Sequence, residues 1–213
     1  MVHFDFENSV LNQANNVTAA IESPSNIAYE SRGSNQAIKF GGVSSPNQVN
    51  VASDPSFTFA DEITVAYFLK VNSTMGMDGY KQTVPYGAHD ILMDSDWKIN
   101  NRLFTSATDP SRIIMYYPDA TQNDGWGRLV ADHIPTGTWV HIAFVISKTT
   151  ATSYVNGVVS ESFAMNPTDF STLATGFSIG KSGEWYPLNG SLDDLRIYNR
   201  PLSSQEIQML SVK

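Results

Sequence analysis

Aromatic residues set among polar ones are the part of this sequence best suited to contacting a ligand. Trp126 is preceded by Asn123 and Asp124 and followed by Arg128. A ring offers a flat apolar face to C–H groups, while amide, carboxylate and guanidinium groups exchange hydrogen bonds with hydroxyls. The pattern predicts a ligand-binding site, with candidate residues Trp97, Tyr116, Tyr117, Asp119, Asn123, Asp124, Trp126, Arg128 and Trp185.

Trp185 is remote in sequence from the other candidates. It lies in a loop at residues 181–187, with Glu184 and Asn189 nearby. It can complete the site only if this loop lies at the same rim, or on the same face, as residues 119–128. For Tyr186, which directly precedes the last predicted strand, packing is favoured over ligand contact.

Carboxylates and histidines form no recognisable catalytic group. Asp193 and Asp194 are adjacent in a predicted strand, so their side chains point to opposite faces and cannot act as one acid/base pair. The clusters at residues 61–62 and 94–96 are typical of turns. His141 lies in a buried strand, where a hydrogen-bonded core histidine is favoured over a catalytic one. No phosphate loop, zinc-ligand spacing or Gly-x-Ser-x-Gly motif is present.

Composition narrows the class of partner. The 213 residues include 21 acidic and 13 basic side chains, which gives a net charge of −8 and argues against nucleic acid and anionic membranes. The absence of cysteine excludes disulfides and thiol chemistry. No apolar run is long enough to insert in a membrane. The first six residues lack the features of a signal peptide, so we expect either an intracellular protein or one domain of a longer secreted chain.

Short runs of β-forming residues separated by turn residues predict a mostly β protein. Strands are expected at residues 3–7, 36–40, 48–51, 63–71, 89–93, 98–104, 112–117, 137–146 and 177–180, and an Asn156-Gly157 turn predicts a hairpin at 153–159. Residues 72–87 and 118–127 are expected to be long loops, which are often functional. No linker composition divides the chain, so one domain covering residues 1–213 is predicted.

The end of the chain carries the most specific pattern. Residues 192–198 alternate as a strand, and the Asn199-Arg200-Pro201 segment interrupts it. Ser203 or Ser204 is then placed to cap a short helix with Glu206 close behind. The apolar side of this helix is expected to contain Ile207, Met209 and Leu210.

This C-terminal pattern resembles that of laminin-G-like, concanavalin A-like domains, whose last strand typically reads Gly-x-Ile/Leu-Asp-Asp/Glu-Val/Leu-Arg-Ile-Tyr-Asn-Arg-x-Leu-Ser and is followed by a Glu-Ile helix. The Trp139-x-His141 strand and the Tyr-Val-Asn-Gly hairpin at residues 154–157 are similar to the same family. The resemblance covers nearly the whole chain and is weakest at residues 72–132. It implies an all-β, two-sheet antiparallel jelly-roll sandwich with a short C-terminal helix.

The resemblance also implies a structural calcium ion. In the family such an ion often joins the first strand, a Phe-x-Gly step and an aspartate of the last strand. Residue by residue, these positions are Asp5 or its neighbouring carbonyl, the Gly42 carbonyl, and Asp193. The alternative is that Asp193 only hydrogen-bonds the backbone.

Together these patterns favour a non-catalytic carbohydrate-binding module, which takes a polysaccharide or glycan ligand and belongs to a multidomain, secreted, polysaccharide-degrading or adhesive protein. Specificity is expected in residues 72–132, where the chain departs from the family. Two alternatives stay open. One is a structural or adhesion module that binds protein. The other is a jelly-roll glycoside hydrolase or polysaccharide lyase whose catalytic residues the sequence does not reveal.

Overall fold

Strands with alternating apolar side chains fold this chain into two antiparallel sheets that pack face to face. The computed structural model describes residues 1–11, 13, 19–54, 57, 59–95, 98–106, 111–165 and 169–212. In chain order the elements are β1 (Val2–Phe4), β2 (Ala19–Ile21), β3 (Ala28–Arg32), β4 (Asn35–Gly41), β5 (Val49–Ala52), β6 (Ile63–Val71), β7 (Gly76–Met77), β8 (Thr83–Val84), β9 (Ala88–Asp94), β10 (Asn100–Phe104), β11 (Ser111–Pro118), β12 (Trp126–Ile134), β13 (Trp139–Ile146), β14 (Thr150–Val155), β15 (Val158–Ala164), β16 (Gly176–Ile179), β17 (Asn189–Tyr198) and the helix α1 (Ser204–Ser211). Short 3₁₀ helices lie at Pro24–Asn26, Gly42–Ser44 and Ser171–Thr175.

The two sheets have separate strand orders. The first sheet runs β15-β14-β13-β6-β17-β4-β3, with β1 also paired to β17. The second sheet runs β12-β11-β10-β9-β16-β5-β2, with the short strands β7 and β8 beside β9. All pairings between these strands are antiparallel, which confirms the two-sheet antiparallel sandwich predicted from the sequence.

One hydrophobic core lies between the inner faces of the sheets. The first sheet supplies Phe4 and Phe144, and the second supplies Leu103 and Leu129, all of them fully or almost fully buried. Burial of each such side chain contributes about 1.5–3 kcal/mol. The buried Tyr67 hydroxyl also crosses this core and hydrogen-bonds the Asn101 side chain of the second sheet.

The strand at the edge of the second sheet corrects one expectation. The sequence predicts that Trp126 lies in a loop, whereas the structure makes it the first residue of β12. The next position requires glycine. Gly127 lies opposite Tyr117, and a Cβ atom at residue 127 would overlap the Tyr117 ring. Trp126 is therefore positioned by a sheet rather than by a mobile loop.

The C-terminal helix forms as its capping signals predict. Ser203 is the N-cap residue: its side chain accepts a hydrogen bond from the Glu206 backbone N–H, and the Glu206 carboxylate accepts one from the Ser203 N–H. Ile207 and Leu210 pack on the outer face of the first sheet, but Met209 is exposed, contrary to expectation. No helix among the described residues is both long enough and apolar enough to cross a membrane.

His89 and His141 are buried, and His141 lies on the outer face of the first sheet, because its neighbours Val140 and Ile142 point into the core. His141 packs edge-on against Phe68, with ring centroids 5.0 Å apart, and no described residue hydrogen-bonds its Nδ1. The sequence predicts a buried, hydrogen-bonded His141. Its burial is confirmed, whereas its Nδ1 is not hydrogen-bonded within the described part of the chain. Burial lowers the pKa of both His89 and His141 to about 4.

These depressed pKa values predict a loss of stability in weak acid. His89 and His141 take up protons near pH 6.5 in the unfolded chain and near pH 4 in the folded chain, so the unfolded state binds more protons between these values. The stabilisation is complete above about pH 6.5 and is lost as the pH falls towards about 4. His141→Gln should therefore lose less free energy of unfolding than the unaltered chain between about pH 7 and about pH 4.5, by roughly 1–3 kcal/mol.

Urea unfolding at both pH values measures this difference. His133→Asn is the matched control, because His133 is exposed and its left-handed backbone suits asparagine. The control should follow the unaltered chain. If the His141→Gln variant lost as much free energy of unfolding as the unaltered chain, the lowered pKa of His141 would be contradicted.

Candidate functional site

A row of outward-facing side chains crosses four neighbouring strands of the second sheet. Asn100 on β10 lies opposite Met93 on β9 and Tyr116 on β11, and Tyr116 lies opposite Arg128 on β12. The strand neighbours of Tyr116 and Arg128, such as Met115 and Leu129, point into the core. Because strand residues alternate between faces, the same pattern that buries the core sends this row outward.

The row forms the floor of a groove with a cavity volume of about 440 Å³. One wall is Trp126, at the start of β12, and the other is the Trp185-Tyr186 pair from the loop before β17. The described residues lining this groove are Gly79, Met93, Asn100, Arg102, Tyr116, Trp126, Arg128, Trp185 and Tyr186.

A buried carboxylate, Asp90 on β9, holds the floor of the groove together. Its Oδ1 accepts a hydrogen bond from Arg102 Nε at 2.6 Å, whereas its Oδ2 makes no hydrogen bond to any residue that the structure describes. The Asn100 side chain lies beside the same carboxyl group. The Asp90 backbone N–H donates to the Tyr186 carbonyl at 2.7 Å, which fixes the loop that carries Trp185. Burial raises the Asp90 pKa to about 6, although Arg102 and Asn100 act in the opposite direction.

Three rings of the groove each have a cation against them, and a carboxylate holds each cation. Arg102 lies 4.1 Å from the Tyr186 ring centroid and pairs with Asp90. The other two sets are Lys81 at 4.5 Å from Trp185, paired with Glu184 at 2.7 Å, and Arg128 at 5.5 Å from Tyr116, paired with Asp124. Cation–π contacts of this kind contribute about 0.5–1 kcal/mol at exposed sites and restrict the motion of the ring.

The turn before β12 is organised by its own aspartates. Asp119 Oδ1 accepts hydrogen bonds from the N–H and hydroxyl of Thr121, and the Asp119 N–H donates to the Gly125 carbonyl. Asp119 also lines a second hollow, of about 250 Å³, that shares Trp126 and Arg128 with the groove. Asn123 is exposed on the same turn.

The structure brings together four of the predicted ligand residues: Tyr116, Trp126, Arg128 and Trp185 all line the groove. Asp119, Asn123 and Asp124 lie beside it rather than in its lining, with Asp124 bound to Arg128. Tyr117 is placed elsewhere, because it is 1% exposed and its ring packs 6.4 Å from that of Phe170 in the core. Trp97 lies outside the described residues.

Six residues of the site are not among the predicted ligand residues: Gly79, Asp90, Met93, Asn100, Arg102 and Tyr186. Packing was favoured for Tyr186, whereas the structure places it in the groove lining. Alternation within the predicted strand at residues 98–104 already puts Asn100 and Arg102 on one face, and that signal could have identified them. Asp90 contacts the carbonyl of residue 186, which is distant in sequence. Such a contact has no local sequence pattern from which it could be predicted.

The predicted calcium ligands do not converge on one point. Gly41, next to Gly42, pairs with Asn189 at one end of β17, and Asp193 lies about 13 Å further along that strand. The buried Asp193 accepts hydrogen bonds from Arg32 Nε at 2.5 Å and from the Asp194 backbone N–H at 2.7 Å. Asp5 Oδ1 accepts one from Gln13 at 3.2 Å.

Asp5, Gly42 and Asp193 therefore do not fit a shared ion. Within the described ranges, no group of three or more His, Cys, Asp or Glu side chains is arranged to hold a metal. Calcium binding itself stays a prediction from the family resemblance.

Comparison with known proteins identifies the architecture. A family model, Laminin_G_3, described as the concanavalin A-like lectin/glucanases superfamily, matches residues 41–208, which is well over half of the chain. No curated protein sequence gives a match.

Solved structures with the same fold come from larger extracellular proteins and toxins. Domain 4 of AbnA, an extracellular GH43 arabinanase from Geobacillus stearothermophilus in complex with arabinotriose, has a TM-score of 0.70 and 20% identity over 99% of this chain and 97% of that one. The binding domain of botulinum neurotoxin serotype D has a TM-score of 0.72 and 13% identity over 100% of this chain and 51% of that one. The binding domain of Paraclostridial Mosquitocidal Protein 1 has a TM-score of 0.67 and 15% identity over 99% and 51%. This chain thus spans about half of each toxin binding domain, and identities this low show the fold alone.

The Arg32–Asp193 pair predicts that Asp193 stabilises the fold without calcium. Asp193→Asn removes the charged partner of the Arg32 side chain, which is only 10% exposed, so we expect a loss of about 3 kcal/mol in the free energy of unfolding. Urea unfolding in a calcium buffer and in a chelator should give the same loss.

Asp61→Asn is the control for this prediction. It breaks an exposed pair with Lys148 and should cost less than about 1 kcal/mol. A loss at Asp193 that appears only with calcium present would show instead that this carboxylate binds the ion.

Proposed function

We propose, from the premise that this chain belongs to the concanavalin A-like lectin/glucanase superfamily, that its groove binds carbohydrate. The observation that carries the proposal is the groove itself, where Tyr116, Trp126, Trp185 and Tyr186 surround a floor of polar side chains. Its volume of about 440 Å³ lies within the usual range for small-molecule sites. The membership confirms the resemblance predicted from the last strand.

The chemistry of the lining suits sugars. Rings can stack on the C–H faces of a sugar, while Arg102 and Arg128 offer N–H donors to its hydroxyls. The rings are already braced by cations, so little conformational entropy is lost when a ligand binds. These features support binding through shape and hydrogen bonds.

A binding role is favoured over hydrolysis by the charge of the lining. Glycoside hydrolases need two carboxyl groups flanking the scissile bond. None of the described residues that line the groove is Asp or Glu, and the nearby carboxylates of Asp90 and Asp124 are each paired with an arginine. We therefore propose a non-catalytic module.

The similar structures support a place in a larger extracellular protein. The arabinanase structure is a numbered domain with an oligosaccharide in its complex, and the toxin structures are binding domains about twice as long as this chain. We propose that this chain likewise serves as one module of a secreted polysaccharide-degrading or adhesive protein. A structural calcium is a separate proposal, which the family resemblance supports and the positions of Asp5, Gly42 and Asp193 do not.

A glycan array tests the proposed function, with linear arabinan, galactan, xylan and β-glucan among the probes. Binding to at least one glycan is the expected result. Clean arrays together with binding to a protein would favour the adhesion alternative. Release of new reducing ends from these polymers would favour the enzyme alternative.

Trp126→Ala should weaken glycan binding about tenfold, because one stacking ring contributes about 0.5–1.5 kcal/mol beyond its buried area. Isothermal titration calorimetry measures the affinity, and a melting curve shows whether the variant is folded. Trp139→Ala is the matched control, since Trp139 lies on the outer face of the first sheet against Lys70. Unchanged affinity in a folded Trp126→Ala variant would place the ligand elsewhere.

A further inference from the structure

Two neighbouring side chains on β10 have hydrogen-bonding capacity that no described residue uses. Asn100 and Arg102 are two residues apart in one strand, so they lie on the same face about 6.5 Å apart, and both line the groove. Asn100 is 6% exposed, and its Oδ1 has no hydrogen-bond partner within the described part of the chain. A buried acceptor without a donor costs stability, so such a group indicates a site for a ligand.

Arg102 supplies the complementary donors. Its side chain is 18% exposed and donates through Nε to Asp90, while its two terminal Nη groups make no hydrogen bond to any residue that the structure describes. The Tyr186 ring lies against the guanidinium group and holds its plane. Arginine has five N–H donors in a rigid fork, so pairing at Nε leaves the others directed away from Asp90.

Asp90 fixes the orientation of both groups. Arg102 Nε donates to Asp90 Oδ1. An ionised carboxylate only accepts hydrogen bonds, so the Asn100 side chain beside it presents its amide nitrogen to Asp90 and not its oxygen. The Asn100 oxygen is thereby left as an acceptor, and the Arg102 terminal nitrogens are left as donors. One carboxylate therefore sets an acceptor and a pair of donors side by side on the groove floor.

We propose that Asn100 and Arg102 recognise adjacent hydroxyl groups of an uncharged sugar residue, and that the groove selects neutral over acidic glycans. The inference rests on the proposed function and names its ligand class. A hydroxyl donates and accepts, so a pair of hydroxyls satisfies the Asn100 oxygen and the Arg102 donors together. A carboxylate or sulfate group brings no donor, and would leave the Asn100 oxygen unpaired and facing negative charge.

The charges around the groove support the same selection. Arg102 is paired with Asp90, Arg128 with Asp124 and Lys81 with Glu184, so these three cations at the groove each have an acidic partner. The chain as a whole has a net charge of −8. An anionic polymer therefore gains little electrostatic attraction here, whereas hydrogen bonds to uncharged hydroxyls keep their full value.

The test compares matched probes on the unaltered protein. Each acidic polymer is paired with a neutral one of the same backbone. Polygalacturonic acid is compared with its carboxyl-reduced form, and C6-oxidised β-glucan is compared with native β-glucan. We expect binding to neutral members only. The affinity should change less than twofold between about 0.05 and about 0.5 M NaCl, over which the Debye length falls about threefold.

Two substitutions then assign the contact. Arg102→Lys keeps the charge beside Asp90 but loses the guanidinium fork, and Asn100→Ala removes the acceptor. Each should weaken binding to the neutral glycan about tenfold. Arg112→Lys is the control, because Arg112 is exposed on β11 and lies outside the groove lining. Melting curves confirm that the variants are folded.

The outcomes separate the inference from the proposed function. Tighter, salt-sensitive binding of acidic members overturns the selection of neutral sugars while glycan binding stands. If the Asn100→Ala and Arg102→Lys variants bind the neutral glycan as tightly as the unaltered chain does, the proposed roles of Asn100 and Arg102 are overturned. Failure of every polymer to bind contradicts both. The comparison of probes and the salt titration need only the unaltered chain, so they decide the case even where a variant does not fold.

Discussion

The burial of a single carboxylate, that of Asp90, is the constraint around which the candidate site is arranged. A charge removed from water must find hydrogen-bonding partners within the protein, and the pKa of Asp90, raised to about 6, reflects how strongly burial disfavours its charged form. Arg102 on the next strand donates to its Oδ1, Asn100 lies beside it, and its own backbone N–H donates to the Tyr186 carbonyl. The contacts of this one residue therefore place two side chains of the groove floor and the loop that forms one wall.

The register of the second sheet aligns the remaining side chains of the groove floor. Met93, Asn100, Tyr116 and Arg128 lie opposite one another on four strands, so the sheet presents them as a continuous row instead of scattered positions. Cations held by carboxylates then brace the rings at the edges of the row. A site built this way on strands is already ordered before a ligand arrives, which limits the entropy lost on binding.

Local patterns in the sequence predicted most of the fold and part of the site. The last strand and the Ser203–Glu206 capping box depend on neighbouring residues, and both formed as expected. Tyr116 and Tyr117 were both assigned to the ligand, although alternation allows only one of two adjacent strand residues to face outward. Contacts between distant segments could not be predicted. Arg32 binds Asp193 across 161 positions, and this pairing occupies a carboxylate that the family resemblance assigned to calcium. The role of Asp90 likewise depends on contacts of β9 and β10 with the loop at residue 186, which is distant from both strands in sequence.

The central claim is that the groove between Trp126 and Trp185 is where a glycan binds. The most direct measurement is a titration followed by NMR, in which the indole N–H signals of the tryptophans report their own surroundings as an oligosaccharide is added. The account predicts that the Trp126 and Trp185 signals shift together with one dissociation constant, while the Trp139 signal on the opposite sheet stays in place. Saturable binding that shifts the Trp139 signal and leaves Trp126 and Trp185 unmoved would contradict it.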